Sequence, residues 1–288
     1  MIAFFANIFG YLLNFLYNSF NNYGVAIITF SIIVKAILLP ISIKQQKNMK
    51  KSNKVQEEVK KIQDKYKNDQ AKMNEELMSY YKKENFSPFS GCLSAIIQIV
   101  LLFAVFYLVR SPLTYMKKVD SQIIDDYKTK IQEIESETGV KTNYPEITII
   151  KEFGKTDENV NINMNLLGLD LSSSPTQNIK DVKNLIIPIL YVLSSIASMR
   201  LTTNLQKNKE KNIDRNTEIK SEDTNNNKQE DPMVEANKMM SLMMPVMSIS
   251  IAMVAPIGLA LYWFVNNILA ILERLILNKF FQKNEEEL

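Results

Sequence analysis

The chain has 288 residues, 34 basic and 31 acidic, for a net charge of +3, with no histidine and one cysteine, Cys92. An internal disulfide is therefore excluded, and zinc or thiol–histidine chemistry has no ligand set. Charged and apolar residues stand in separate blocks, and apolar runs of membrane length override the one or two soluble domains that length alone would allow. Scarce glycine and abundant Leu, Ile, Ala and Met favour helices over strands.

Residues 1–22 carry no charge. Phe4, Phe5, Ile8, Leu12, Phe15 and Leu16 recur at helical spacing, with Asn7, Asn14 and Asn18 on another face. The pattern predicts an amphipathic helix lying in the membrane interface. A basic n-region is missing, so this segment is expected to be retained rather than cleaved. The first span is predicted at about 25–43. The cluster Lys44, Lys47, Lys50, Lys51 and Lys54 follows it, which places that end in the cytoplasm and the N-terminus outside.

Residues 45–86 read as a cytoplasmic helical hairpin. Val55, Val59, Ile62 and Tyr66 form one apolar stripe and Met73, Leu77, Tyr80 and Tyr81 a second, with a turn and N-cap at Asn68-Asp69. Ser87-Pro88-Phe89-Ser90-Gly91 breaks the pattern before a second span, about 92–109. Cys92 is read there as a small packed residue. Residues 111–183 form a polar extracytoplasmic region, helical near 120–138. Residues 146–150 and 160–171 remain open between short strands and irregular chain. A third span covers about 185–205. Residues 206–236 read as a disordered cytoplasmic linker. Spans four and five, about 239–255 and 257–277, form a hairpin around Pro256-Gly258 and leave a short cytoplasmic tail, 278–288.

The residue that calls for an explanation is Lys35. A charge near the middle of a span costs roughly 2.5–3.5 kcal/mol on the insertion scale, which makes it a functional candidate by default. The nine residues to Lys44 correspond to roughly 13 Å of helix, beyond the reach of a snorkelling lysine. Glu273 lies nearer the cytoplasmic end of its span, so the sequence offers Lys35 no acidic partner at its depth. The expectation is a water-filled cavity in which an unpaired cation attracts a visiting anion. Gln98, Ser194, Ser198 and Asn267 are candidates to line it, with Thr29, Ser31, Ser195 and Asn266. Hydroxyls of this kind often bond their own helix backbone instead. Trp263 and Tyr262 suit either an interfacial aromatic belt or a client-contacting surface. The methionines of the fourth span (Met239, Met240, Met243, Met244, Met247 and Met253) suit either packing or an adaptable apolar surface. There is no nucleophile–base pair, phosphate loop or metal set, so the chain reads as a non-enzyme without a cofactor.

Several stretches together resemble one family. Tyr23-Gly24, the apolar run with Lys35 and Pro40, and Ile43-Lys44-Gln45-Gln46 are similar to the first span of the YidC/Oxa1/Alb3 membrane protein insertases. Phe86-Ser87-Pro88-Phe89-Ser90-Gly91-Cys92-Leu93 resembles that family's entry to the second span, with Gln98 in place. Asn165-Leu166-Leu167-Gly168-Leu169-Asp170-Leu171 is like the loop before the third. The stretch from Gly258 to Asn267 is like the last span. The resemblance implies an all-α polytopic membrane protein of the plasma membrane, in the five-span form, with the N-terminus outside and the C-terminus cytoplasmic. Its helices would surround a hydrophilic groove, with an N-terminal interfacial helix and a cytoplasmic helical hairpin. The groove residues it implies are Lys35, Gln98, Ser194, Ser198, Trp263 and Asn267. They would receive the polar tail of a nascent membrane protein client, whose apolar helix passes into the lipid bilayer. The ribosome and the general secretion channel are candidate partners; no nucleic acid sequence is read. This chain differs from the common family pattern in having lysine rather than arginine at the groove cation, Ser90 and Ser94 where glycine and proline are frequent, and a short acidic tail. Two alternatives stay open: an anion transporter or channel built around Lys35, and a membrane scaffold that docks partners through the cytoplasmic hairpin.

Overall fold

The computed structural model describes residues 2–84, 90–139, 141–177, 181–216 and 252–286. The opening helix α1 (Ile2–Phe20) ends where Asn21 turns to φ 49° and its amide donates to Tyr17 O at 2.7 Å. Asn22 then caps α2 (Tyr23–Lys65), its side chain accepting from Val25 N at 3.1 Å. At 43 residues α2 is about 65 Å long and joins the predicted first span to the first arm of the hairpin without a break, with Pro40 inside it. The second arm, α3 (Gln70–Lys83), begins at the expected N-cap, where Asp69 accepts from Lys72 N at 3.0 Å.

Helix α4 (Ser90–Arg110) contains the second predicted span. A π-helical turn follows at Leu113–Lys117, then α5 (Ser121–Thr138), capped by Asp120, and α6 (Pro145–Phe153), with proline in its first turn. The two stretches left open between strand and irregular chain divide. Residues 146–150 lie within α6. The 160–171 stretch holds a two-residue antiparallel hairpin, β1 (Asn165–Leu166) against β2 (Leu169–Asp170). The long helices α7 (Lys183–Asn216) and α8 (Ile257–Glu286) complete the described fold. α7 runs through 206–216, the start of the stretch read as a disordered linker. The predicted break at 87–91 falls mainly outside the described residues, as do most of the linker and of the fourth span.

Among the described residues, three helical segments are long and apolar enough to cross a membrane: Tyr23–Gln45, Lys183–Thr203 and Ile257–Lys279. Exposed apolar side chains on their outer faces, among them Ile32, Ile37, Leu193, Ile196, Leu272 and Ile276, suit contact with lipid.

Side-chain contacts fix the relative directions of these helices. Tyr23 at the start of α2 lies beside Gly258 at the start of α8, and Lys35 meets Glu273 further along both. Tyr191, Ser195 and Thr202 of α7 meet Trp263, Asn267 and Arg274 of α8 in that order. Hence α2, α7 and α8 run the same way. The end of α4 returns to the start of α2, where Tyr23 Oη donates to Val109 O at 3.5 Å.

That end of the bundle is closed by the segment 163–173. Its carbonyls take up helix-start amides that have no partner within their own helices. Tyr23 N donates to Asn163 O (3.0 Å), Ile257 N to Ser173 O (2.8 Å) and Gly258 N to Leu171 O (2.9 Å). One apolar core runs from Leu13, Ile27, Phe30 and Leu108 in the helices, through Leu113 and Met116, to Ile149, Val160 and Leu171.

Candidate functional site

Several polar residues of the predicted spans meet where α2, α7 and α8 pack. On α7, the spacing of Tyr191, Ser194, Ser198 and Thr202 keeps them on one face. On α8, Trp263, Asn267 and Arg274 do the same. Because the two helices are parallel, they meet rung by rung. The Tyr191 and Trp263 rings lie 5.6 Å apart. Asn267 Nδ2 donates to Ser195 Oγ at 2.7 Å and reaches Ser194 Oγ at 3.3 Å. Arg274 donates to Thr202 Oγ1 and, at 3.3 Å, to Ser198 Oγ.

Several hydroxyls are also tied to their own helices: Ser194 donates to Tyr191 O (2.7 Å), Thr202 to Ser198 O (2.8 Å) and Ser31 to Ile27 O (2.8 Å). Asn266 likewise donates to Tyr262 O at 2.9 Å, so it is spent on α8 itself.

Lys35 is not unpaired. Its Nζ lies 2.5 Å from Glu273 Oε2, with the lysine side chain 25% and the glutamate 11% exposed. This corrects the expectation of a cation without an internal partner. Depth in the sequence was judged from each span's cytoplasmic end, whereas the shared reference level is the other end, where Tyr23 and Gly258 touch. Lys35 is twelve residues from that level and Glu273 fifteen, an offset of about 4.5 Å along the axes that a lysine stem bridges. The pairing of the two charges lowers the cost that either alone would impose on the helix bundle. The other glutamate oxygen, Oε1, is buried without a hydrogen-bond partner among the described residues.

Of the residues named from the sequence, Lys35, Ser194, Ser198, Trp263 and Asn267 thus line the packed faces of α2, α7 and α8. Gln98 lies on α4, but its side chain is outside the description. Sequence reasoning undervalued Glu273 and Arg274. The signal available for Arg274 was its position seven residues, two helical turns, after Asn267.

Two cavities lie toward the end where α7 and α8 begin. One of about 490 Å³ is lined by Lys151, Asp170, Ser173, Ser174, Asp181 and Lys183, among others. Nearby, Glu146 is buried and bridges to the π-helical turn. Its carboxylate accepts from Thr114 N at 3.0 Å and from Thr114 Oγ1 at 2.6 Å. Burial raises its pKa above the usual glutamate range, outweighing the opposing effect of these hydrogen bonds.

The sequence family described as 60Kd inner membrane protein matches residues 15–285. The chain belongs to the 60Kd inner membrane protein family. With its three spanning-length helices it is a membrane protein. A relative from Fusobacterium nucleatum, named membrane protein insertase YidC, is 41% identical over 101 residues, 35% of this chain and 49% of that protein. A Clostridium tetani protein of the same name is 39% identical over 107 residues, 37% of this chain and 49% of the relative. One from Treponema denticola, again of that name, is 25% identical over 276 residues, 95% of this chain but 37% of the relative. In each case this chain spans less than half of the relative's length.

Proposed function

We propose that this protein inserts client proteins into the membrane, receiving a short polar tail between α2, α7 and α8 and releasing the adjoining apolar helix into lipid. The observation that carries the reading is the arrangement of polarity. A charged pair joins α2 to α8, and an amide and a guanidinium of α8 meet hydroxyls of α7, while apolar side chains elsewhere on the same helices are exposed. Polar groups at that depth shorten the distance over which a tail must be stripped of water. Burial of the client helix in lipid, at about 25 cal/mol per Å² of apolar area, then drives completion. The relatives' name, membrane protein insertase, supports the same function.

In this reading the site comprises Lys35, Gln98, Ser194, Ser198, Trp263 and Asn267, with Lys35 contacting an acidic tail. The protein crosses the membrane five times, at about 25–43, 92–109, 185–205, 239–255 and 257–277. The N-terminus is outside and the lysine-rich ends of the first, third and fifth spans are cytoplasmic. The shared direction of α2, α7 and α8 supports this topology, since the chain between α7 and α8 has to return to the end where both begin. The hairpin, 45–86, lies in the cytoplasm and is a candidate contact for the ribosome or the secretion channel. The 111–183 region lies outside.

Insertion into liposomes containing the purified chain tests the reading, using a single-span client with an acidic tail. Lys35→Ala and Lys35→Glu are expected to lower insertion at limiting client about tenfold, the scale of a lost charge-assisted contact. Lys35→Arg is expected to preserve it. Equal insertion by all three variants would overturn the role assigned to Lys35.

A further inference from the structure

If Lys35 receives an acidic client tail, its position is already taken: Glu273 holds the ammonium at 2.5 Å. We propose that Glu273 is a specificity-determining residue, an internal carboxylate that competes with the client for Lys35 and so sets how acidic a tail must be to bind. This rests on the insertase reading and deepens it.

Three observations carry the inference. First, the pair is incomplete. Only Oε2 of Glu273 is engaged, while Oε1 is buried with no hydrogen-bond partner among the described residues. Second, two polar side chains of the same helix are committed elsewhere. The neighbouring Arg274 is turned to Ser198 and Thr202 on α7, and Asn267 to Ser194 and Ser195. Third, the two partners are unequally covered. The Lys35 side chain is 25% exposed and that of Glu273 11%, so the cation is the partner that a second carboxylate can reach.

A visiting carboxylate is of the same chemical class as the group it displaces. After the exchange the lysine again has a carboxylate partner, which a neutral tail does not supply. The strength of the internal pair becomes a threshold. A pair that leaves Lys35 free roughly 10–30% of the time weakens apparent client binding about three- to tenfold.

The test uses the full chain in liposomes and a single-span peptide client in two forms, with a tail carrying two aspartates or two asparagines. The readout is the client concentration giving half-maximal insertion. Glu273→Gln is expected to lower it about three- to tenfold for the acidic tail and to leave the neutral tail unchanged, a change in preference that a packing role would not produce. Glu273→Asp keeps the charge but draws it back by one methylene. It is expected to shift the same way by less, and it carries the test if the glutamine variant does not reconstitute. An unchanged acidic-to-neutral preference in these variants, while Lys35→Ala still weakens the acidic client, would overturn the proposal and leave the insertase reading standing. If Lys35→Ala has no effect on the acidic client, the insertase reading of Lys35 fails and the competition fails with it.

Discussion

At the scale of single residues, two buried carboxylates have different roles. Glu273 is matched to a cation that is itself a quarter exposed, so water screens the pair. Glu146 makes no ion pair among the described residues; it is held by the Thr114 amide and hydroxyl, and burial raises its pKa against the opposing pull of those bonds and of the Lys128 charge. A carboxyl whose folded pKa lies above its unfolded value favours the fold most at low pH, and that contribution fades as pH rises through the folded value. Glu146→Gln removes this titration. The stability difference between wild type and Glu146→Gln is therefore expected to move against wild type as pH is raised from about 4 to 7, measured by thermal unfolding in detergent. A difference that is flat with pH would contradict the account of Glu146.

At the scale of elements, close approach governs what the sequence allows. α1 packs through Ala6, Gly10, Leu13 and Leu16 against its neighbours and leaves Phe4, Tyr11 and Phe15 exposed. A Cβ at Gly10 would collide with the Tyr115 carbonyl of the π-helical turn. Gly10→Ala is expected to destabilise the protein by about 1–3 kcal/mol, the usual cost of overpacking, read as a lower unfolding temperature. The β1–β2 hairpin turns through Leu167 at φ 51° and Gly168 at φ 82°, with Leu167 96% exposed. A leucine in that region is strained, and no contact in the described fold explains its use there. Helix α5 and the Asp69 cap were legible because side-chain capping is local chemistry. α6 was not, since its alternation of Ile147, Ile149 and Ile150 fits a strand as well as a short helix, and its burial decides the matter. The seamless continuation of α2 from membrane span into hairpin arm was hidden for a similar reason: a change of composition need not be a change of backbone.

At the scale of the whole molecule, the sequence showed which spans carry polar residues but not how they face. Ser194, Ser198, Trp263 and Asn267 were named from residue type and converge because α7 and α8 are parallel. The Lys35–Glu273 pair was missed because depth within a span is defined by where helices touch, which no single helix reveals. The outcome is an apolar core, a line of polar contacts where α7 and α8 meet with the Lys35–Glu273 pair beside it, and exposed apolar side chains on the same helices. In the proposed function this polar line receives the client tail. Photo-crosslinkers placed at Ser198 and Trp263 on the inner faces, and at Leu193 and Ile276 on the outer, can be tested against a ribosome-stalled client with an acidic tail. The account predicts tail adducts from the inner pair, few from the outer pair, and loss of the inner adducts when Lys35→Glu is added. Equal adducts from both pairs, unaffected by Lys35→Glu, would contradict it.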